Sequence, residues 1–196
     1  MIETLNHKVL SFGIIVVLPL LIFSCVSIQK YPSEWPPLIS IENDKCHNIS
    51  GTYENEGQWA DKSDTSLIRL ADYFFPKGVD VKPLGVTHVQ ITQSDDDTME
   101  ILFWNNENLV DKKIYLRKRN EYTCTSEGIK ISFGTLTTTQ MGEGLMPVSV
   151  NWAAMYLKKN TSGELVAKFT SSGVGLVIVM PVSGFSSFYG RFKQID

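Results

Sequence analysis

The hydrophobic pattern of the chain changes twice. Residues 9–23 are apolar, interrupted only by Ser11, Gly13 and Pro19. That run has the length of a signal peptide and falls short of the roughly 20 residues of a membrane-spanning helix. In residues 26–40, Pro32, Pro36 and Pro37 stand among polar and aromatic residues. They exclude a regular helix or a central strand and predict a semi-stiff tether, holding the rest on the order of 20–30 Å from whatever precedes it. From Cys46 the period becomes two. Ile49, Gly51 and Tyr53 share one face of a first strand, with Gly51 placed for a close backbone approach.

After Gly85 the alternation is nearly continuous. Val89 and Ile91 alternate with Gln90 and Thr92, and the turn Ser94-Asp95-Asp96-Asp97 leads to Met99, Ile101 and Phe103. Further runs cover residues 110–117, 122–124, 128–133, 148–157, 164–170, 173–180 and 185–192. Turns such as Asn160-Thr161-Ser162-Gly163 and Ser171-Ser172-Gly173 join them. One segment reads differently. Leu67, Leu70, Ala71 and Phe74 recur at helical spacing, with Asp64 or Thr65 to cap the start and Pro76 and Gly78 to stop the run. This predicts one helix over 64–75.

Nine or ten short strands with short connections predict a mainly β domain. We expect a small antiparallel up-and-down barrel, or a strongly curved sheet, with the helix covering its open end or side. Closure would remove exposed edges. Two immunoglobulin-like sheets are the alternative and need longer crossing connections. The expected inward side chains are Ile101, Phe103, Ile131, Phe133, Trp152, Tyr156, Phe169 and Ile178, enough to fill a small barrel. Most strands lack a continuous outward apolar band, so a transmembrane barrel is not expected.

The tetrapeptide Ile22-Phe23-Ser24-Cys25 resembles the lipobox of bacterial lipoproteins, in which the cysteine thiol accepts a diacylglycerol and the chain is cut just before it. Ile22 and Phe23 stand where leucine and a small residue are usual, and Ser24 fits. The resemblance implies Cys25 as the lipid attachment site, with residues 1–24 a lipoprotein signal peptide, 25–40 a lipidated tether and 41–196 the β domain. Val26 after the cysteine, in place of aspartate, resembles lipoproteins passed to the outer membrane, facing the periplasm. An uncleaved signal anchor over 9–28 is the other reading, and both export the remainder.

The strand Ile49-Ser50-Gly51-Thr52-Tyr53 resembles the opening strand of lipocalin-like barrels. Together with Gly173-Val174-Gly175-Leu176 and Phe188-Tyr189-Gly190-Arg191-Phe192, the body is similar to lipoproteins of Gram-negative bacteria. That similarity implies an address and no activity.

With Cys25 lipidated, Cys46 and Cys124 are the remaining thiols, and an even pair in an oxidising compartment reads as one disulfide. Two buried free thiols are the alternative. The 18 basic and 21 acidic residues leave a charge of −3, and the longest basic run is Arg117-Lys118-Arg119, so nucleic acid is not an expected partner.

Candidate chemistry is sparse. His7 lies in the signal segment, and His47 and His88 are far apart with no acidic residue at ligand spacing, so no metal site is expected. There is no Gly-x-Ser-x-Gly elbow. Asp95-Asp96-Asp97 lacks the alternating ligands of a calcium loop, and Ser172-Gly173-Val174-Gly175 opens a strand, unlike a phosphate cradle. No catalytic residue and no cofactor are expected. The expected role is non-catalytic and structural or interactive, at a membrane through the lipid, with an envelope protein as partner. The alternative is a small apolar or amphipathic ligand in a lipocalin-like interior.

Overall fold

The computed structural model describes residues 24–41, 46–61, 67–75, 85–94, 97–139, 148–177 and 180–195. Among them lie the strands β1 (Ser24–Ile28), β2 (Gly51–Glu54), β3 (Glu56–Trp59), β4 (Ile68–Arg69), β5 (His88–Gln93), β6 (Thr98–Asn105) and β7 (Asn108–Leu116). They continue with β8 (Tyr122–Thr125), β9 (Gly128–Thr139), β10 (Val148–Lys159), β11 (Leu165–Val177), β12 (Met180–Phe192) and β13 (Gln194–Ile195). The chain divides into two compact units. The smaller comprises Met1–Ser27, Thr135–Trp152 and Ser171–Ser186, and the larger comprises Ile28–Gly134, Ala153–Thr170 and Ser187–Asp196.

The protein is mainly β, as the alternation predicts. The described strands form two antiparallel sheets and no closed barrel, which is compatible with the strongly curved sheet expected as the other form. One has five strands in the order β13-β2-β5-β6-β7, and the other has eight, β4-β3-β12-β11-β10-β9-β8 with β1 on β12. Alternation reveals strands but not corners, and the corners decide the difference. At one corner two bent segments cross between sheets together. β2 passes into β3 at Asn55 and β12 into β13 at Lys193, with β12 pairing β3 and β13 pairing β2. At the other corner β7 pairs only β6 and β8 only β9 among the described residues. There the backbone is satisfied locally: Leu116 N–H donates to Glu121 Oε2 at 2.7 Å and Glu121 N–H donates to Leu116 O at 3.3 Å, around the 3₁₀ turn Arg117–Arg119.

Both sheets pack on one core within the larger unit. The five-stranded sheet brings Tyr53, Val89, Ile91, Met99, Ile101 and Phe103, with Val89 opposite Phe103 and Ile91 opposite Ile101. The other contributes Ile129, Ile131, Met155, Leu157, Leu165, Ala167, Phe169 and Phe192. Of the expected inward residues, Ile101, Phe103, Ile131 and Phe169 are buried and Phe133 packs against the core. Trp152 and Tyr156 are corrections. Met155 and Leu157 take the inward positions of β10, so Trp152 is exposed and Tyr156 stands beside Lys130 and Lys168 on the other face. The side chain of Ile178 lies outside the described residues.

Two further expectations change. Ser171-Ser172-Gly173 is the interior of β11, where two expected short strands are one. The expected helix is also absent where it can be seen. Residues 62–66 lie outside the described residues, Ile68–Arg69 is a strand, and Ala71–Tyr73 is a single 3₁₀ turn. Leu67 is exposed, while Ile68, Leu70, Ala71 and Phe74 are buried. A helix of this length is marginal in water, and tertiary bonds take its backbone donors instead.

Asn55 supplies those bonds. Its backbone O accepts from Leu70 N–H at 2.9 Å, its Oδ1 accepts from Ala71 N–H at 2.8 Å, and its Nδ2 donates to Val86 O at 2.9 Å. Its own N–H donates to Thr87 O at 3.0 Å. The side chain is buried, so replacing it strands two backbone groups away from water. We expect Asn55→Ala to destabilise the fold by about 2–4 kcal/mol, read as a lower urea midpoint at unchanged slope. A midpoint equal to that of the parent would refute the assignment.

Candidate functional site

Among the described residues no constellation of reactive groups emerges; the built feature is the N-terminal segment and the sheet surface that receives it. β1, which carries Cys25, pairs with β12. Beyond it, Gln29 N–H donates to Ser187 O at 3.1 Å and its Oε1 accepts from Tyr189 N–H at 3.0 Å. Pro32, Pro36 and Pro37 prevent a helix here, as the sequence predicts, but the segment is no free tether. The Tyr31 ring meets Trp35 and Tyr189 edge-on, at 5.8 and 5.6 Å, and its hydroxyl donates to Pro36 O.

Trp35 is buried under a cation. The Arg191 guanidinium lies 5.0 Å from its ring centroid, 3.5 Å from Glu164 and 2.6 Å from Gln58 Oε1. A guanidinium suits this post because its face stacks on an aromatic ring while its edge stays hydrogen-bonded. Burial raises the pKa of the Tyr31 hydroxyl, opposed by the charge of Arg191, so it remains a neutral donor. Farther along, Thr161 N–H donates to Pro37 O at 2.8 Å, Ile39 N–H donates to Lys159 O at 3.1 Å, and Leu38 bridges Asn160. The receiving turn is itself fixed: Asn160 Oδ1 accepts from Ser162 and Glu164 N–H, both at 3.0 Å, and Gly163 takes φ +84°. Sequence reasoning assigned no role to Tyr31 or Arg191. Their signal was an aromatic-proline stretch and one arginine within an aromatic strand.

Cys46 and Cys124 come together, their Cα atoms 5.1 Å apart across 78 residues of chain, within the span of a disulfide. The link joins the entry of the body to β8 at an edge of the eight-stranded sheet. Next to it, His47 Nε2 accepts from Lys159 N–H at 3.2 Å. Burial, then the charges of Lys158 and Lys159, lower the pKa of His47, so the ring is neutral with its proton on Nδ1. Lys159 Nζ in turn donates to Ser50 O at 2.8 Å. His88 instead stacks on Trp104 at 6.1 Å and bonds Thr87 Oγ1 through Nδ1 at 3.1 Å.

The structure therefore separates the two histidines into different structural roles. Among the described residues no group of three or more His, Cys, Asp or Glu side chains could hold a metal ion. Asp95 and Asp96 lie outside the described residues. No helix among them is long and apolar enough to cross a membrane. No protein family, no curated protein and no solved structure matches the chain.

Two measurements follow. Non-reducing peptide mapping is expected to recover the Cys46 and Cys124 peptides crosslinked, and reduction to cost about 4 kcal/mol of stability in the chain-entropy treatment. Free alkylation of both thiols in oxidised protein would contradict it. For His47, the unfolded ring titrates near 6.5 and the folded ring lower, so the unfolded state binds the proton first on acidification. The His47 contribution is complete above about pH 6.5 and is lost as pH falls through the folded pKa. Denaturation between pH 7.5 and 5 should show this fall, and His47→Gln should remove that component of the slope.

Proposed function

We propose that the protein is a lipid-anchored, non-catalytic component of the bacterial envelope, attached through Cys25 and acting as a structural or interaction body at the periplasmic side of the outer membrane. The observation that carries the non-catalytic, self-filled reading is the interior. Tyr53, Phe103, Tyr122 and Phe192 are fully buried in one cluster contributed by both sheets. Side chains of this volume packed at ordinary protein density occupy the space that a ligand-binding β domain leaves for its guest. Tyr53 is committed to that packing. Its hydroxyl donates to Ile49 O at 2.7 Å, burial raises its pKa, and Gly51 gives its ring room, since a Cβ there would lie 3.0 Å from the hydroxyl.

The anchor reading is supported by the lipobox resemblance, and β1, which carries residue 25, is paired to the body, so that two or more acyl chains there would give stable attachment. Intact-mass spectrometry of detergent-extracted protein is expected to show a chain beginning at Cys25 and carrying diacylglycerol. Unmodified Cys25 with residues 1–24 attached would sink the anchor. Native mass spectrometry of the same preparation should show no stoichiometric small molecule. A lipid or metabolite released only on unfolding would replace the structural role with ligand binding.

A further inference from the structure

The smaller unit exposes large apolar side chains on β1, β10, β11 and β12. Val26 of β1 is 55% exposed, Trp152 of β10 45%, Val174 of β11 49% and Phe185 of β12 36%. Gly173 and Asn151 meet on one face of β10 and β11, where a Cβ on Gly173 would run into the Asn151 side chain. Strand alternation therefore puts Val174 and Trp152 together on the opposite face. Single exposed apolar residues are ordinary on protein surfaces. What sets these apart is the sequence around them: Thr135–Trp152 and Ser171–Ser186 contain one charged residue, Glu143, in a chain that is 20% charged.

The position of Cys25 says what covers them. β1 pairs with β12, the strand that carries Phe185, and Gln29 is bonded to Ser187. Gln29 lies four residue steps beyond Cys25, so even a fully extended chain keeps the Cys25 backbone within about 14 Å of that bond. Acyl chains on Cys25 would leave no slack between the bilayer and this end of β12. We infer that Val26, Trp152, Val174 and Phe185 form a membrane-seated surface, lying against the bilayer that receives the Cys25 lipid. This rests on the acylation of Cys25 proposed above. A surface with few charges enters the headgroup boundary without desolvating ions, and an indole is the side chain best suited to that depth. The apolar contact adds to the lipid anchor.

The test uses the full chain, purified from membranes and reconstituted into vesicles of phosphatidylethanolamine and phosphatidylglycerol with brominated acyl chains. Tryptophan emission is compared between the parent and Trp152→Phe, the other three tryptophans being common to both. Bromolipid quenching in the parent should exceed that in Trp152→Phe by about twofold or more, and Phe185→Lys should lower the parental quenching by lifting the surface. Equal quenching in parent and Trp152→Phe, in protein whose mass shows acylated Cys25 and which cofloats with vesicles, overturns the seated surface and leaves the anchor standing. Unmodified Cys25 without vesicle binding overturns both. Trp152-dependent quenching with Cys25 unmodified removes the anchor and overturns the inference that the Cys25 lipid seats this surface.

Discussion

The fold turns on one buried side chain amide. Where β2 becomes β3 the chain must leave one sheet and enter the other, and a bend of that kind exposes backbone groups that neither ladder can pair. Asn55 answers with four bonds, two from its main chain and two from its side chain, to Leu70, Ala71, Val86 and Thr87. These partners lie on two separate stretches of the chain, Leu70–Ala71 and Val86–Thr87. The same residue thus fixes the corner, converts the following apolar segment into a short strand and a 3₁₀ turn, and holds the entry to β5. Ile68, Leu70, Ala71 and Phe74 then close over the core, and Lys113 Nζ caps the segment by donating to Phe74 O. That amine also sits 4.1 Å from the Phe75 ring, and burial lowers its pKa.

A second level of organisation is laid on the outside. The proline segment contributes no regular structure beyond the Leu38–Asn160 bridge, yet its carbonyls, rings and amides find partners on β12 and on the turn between β10 and β11. Arg191 is the pivot, because one guanidinium covers Trp35 and reaches Glu164 and Gln58. The Arg191–Glu164 pair is largely shielded from solvent, which makes it worth more than an open surface ion pair.

Much of this was legible in the sequence, and the limits are physical. The alternation in Val89, Ile91, Met99, Ile101 and Phe103 placed those strands and their inward faces, because period two is a local property of each strand. The Asn160–Gly163 turn was legible from its residues, as was the approach of Cys46 to Cys124 from their number. What could not be read were the places where a distant group overrides the local pattern. The segment around Leu70 carries helical spacing, and only the presence of Asn55, sixteen residues before Ala71, decides otherwise. Ser171-Ser172-Gly173 has turn composition, but strand pairing on both sides carries it straight through. Trp152 and Tyr156 share a parity that the core does not use, and nothing within β10 says which parity the other sheet will cover. The docking of Tyr31 and Trp35 depended on Tyr189 and Arg191, more than 150 residues away, and no pattern within the proline segment points to them.

The bonds between residues 29 and 39 also bear on how the body could be shed. A protease needs several successive residues in extended, unpaired form, and in this segment Gln29, Pro36, Pro37 and Ile39 all have backbone groups engaged while Trp35 is buried. A cut there requires these contacts to open first, so its rate is set by local unfolding of the β10–β11 turn and the Arg191 cluster, not by the reach of the enzyme. The stretch whose prolines look like a linker is therefore protected by the body it leads to, and the chain cannot be separated from residue 25 at this point while the fold stays closed.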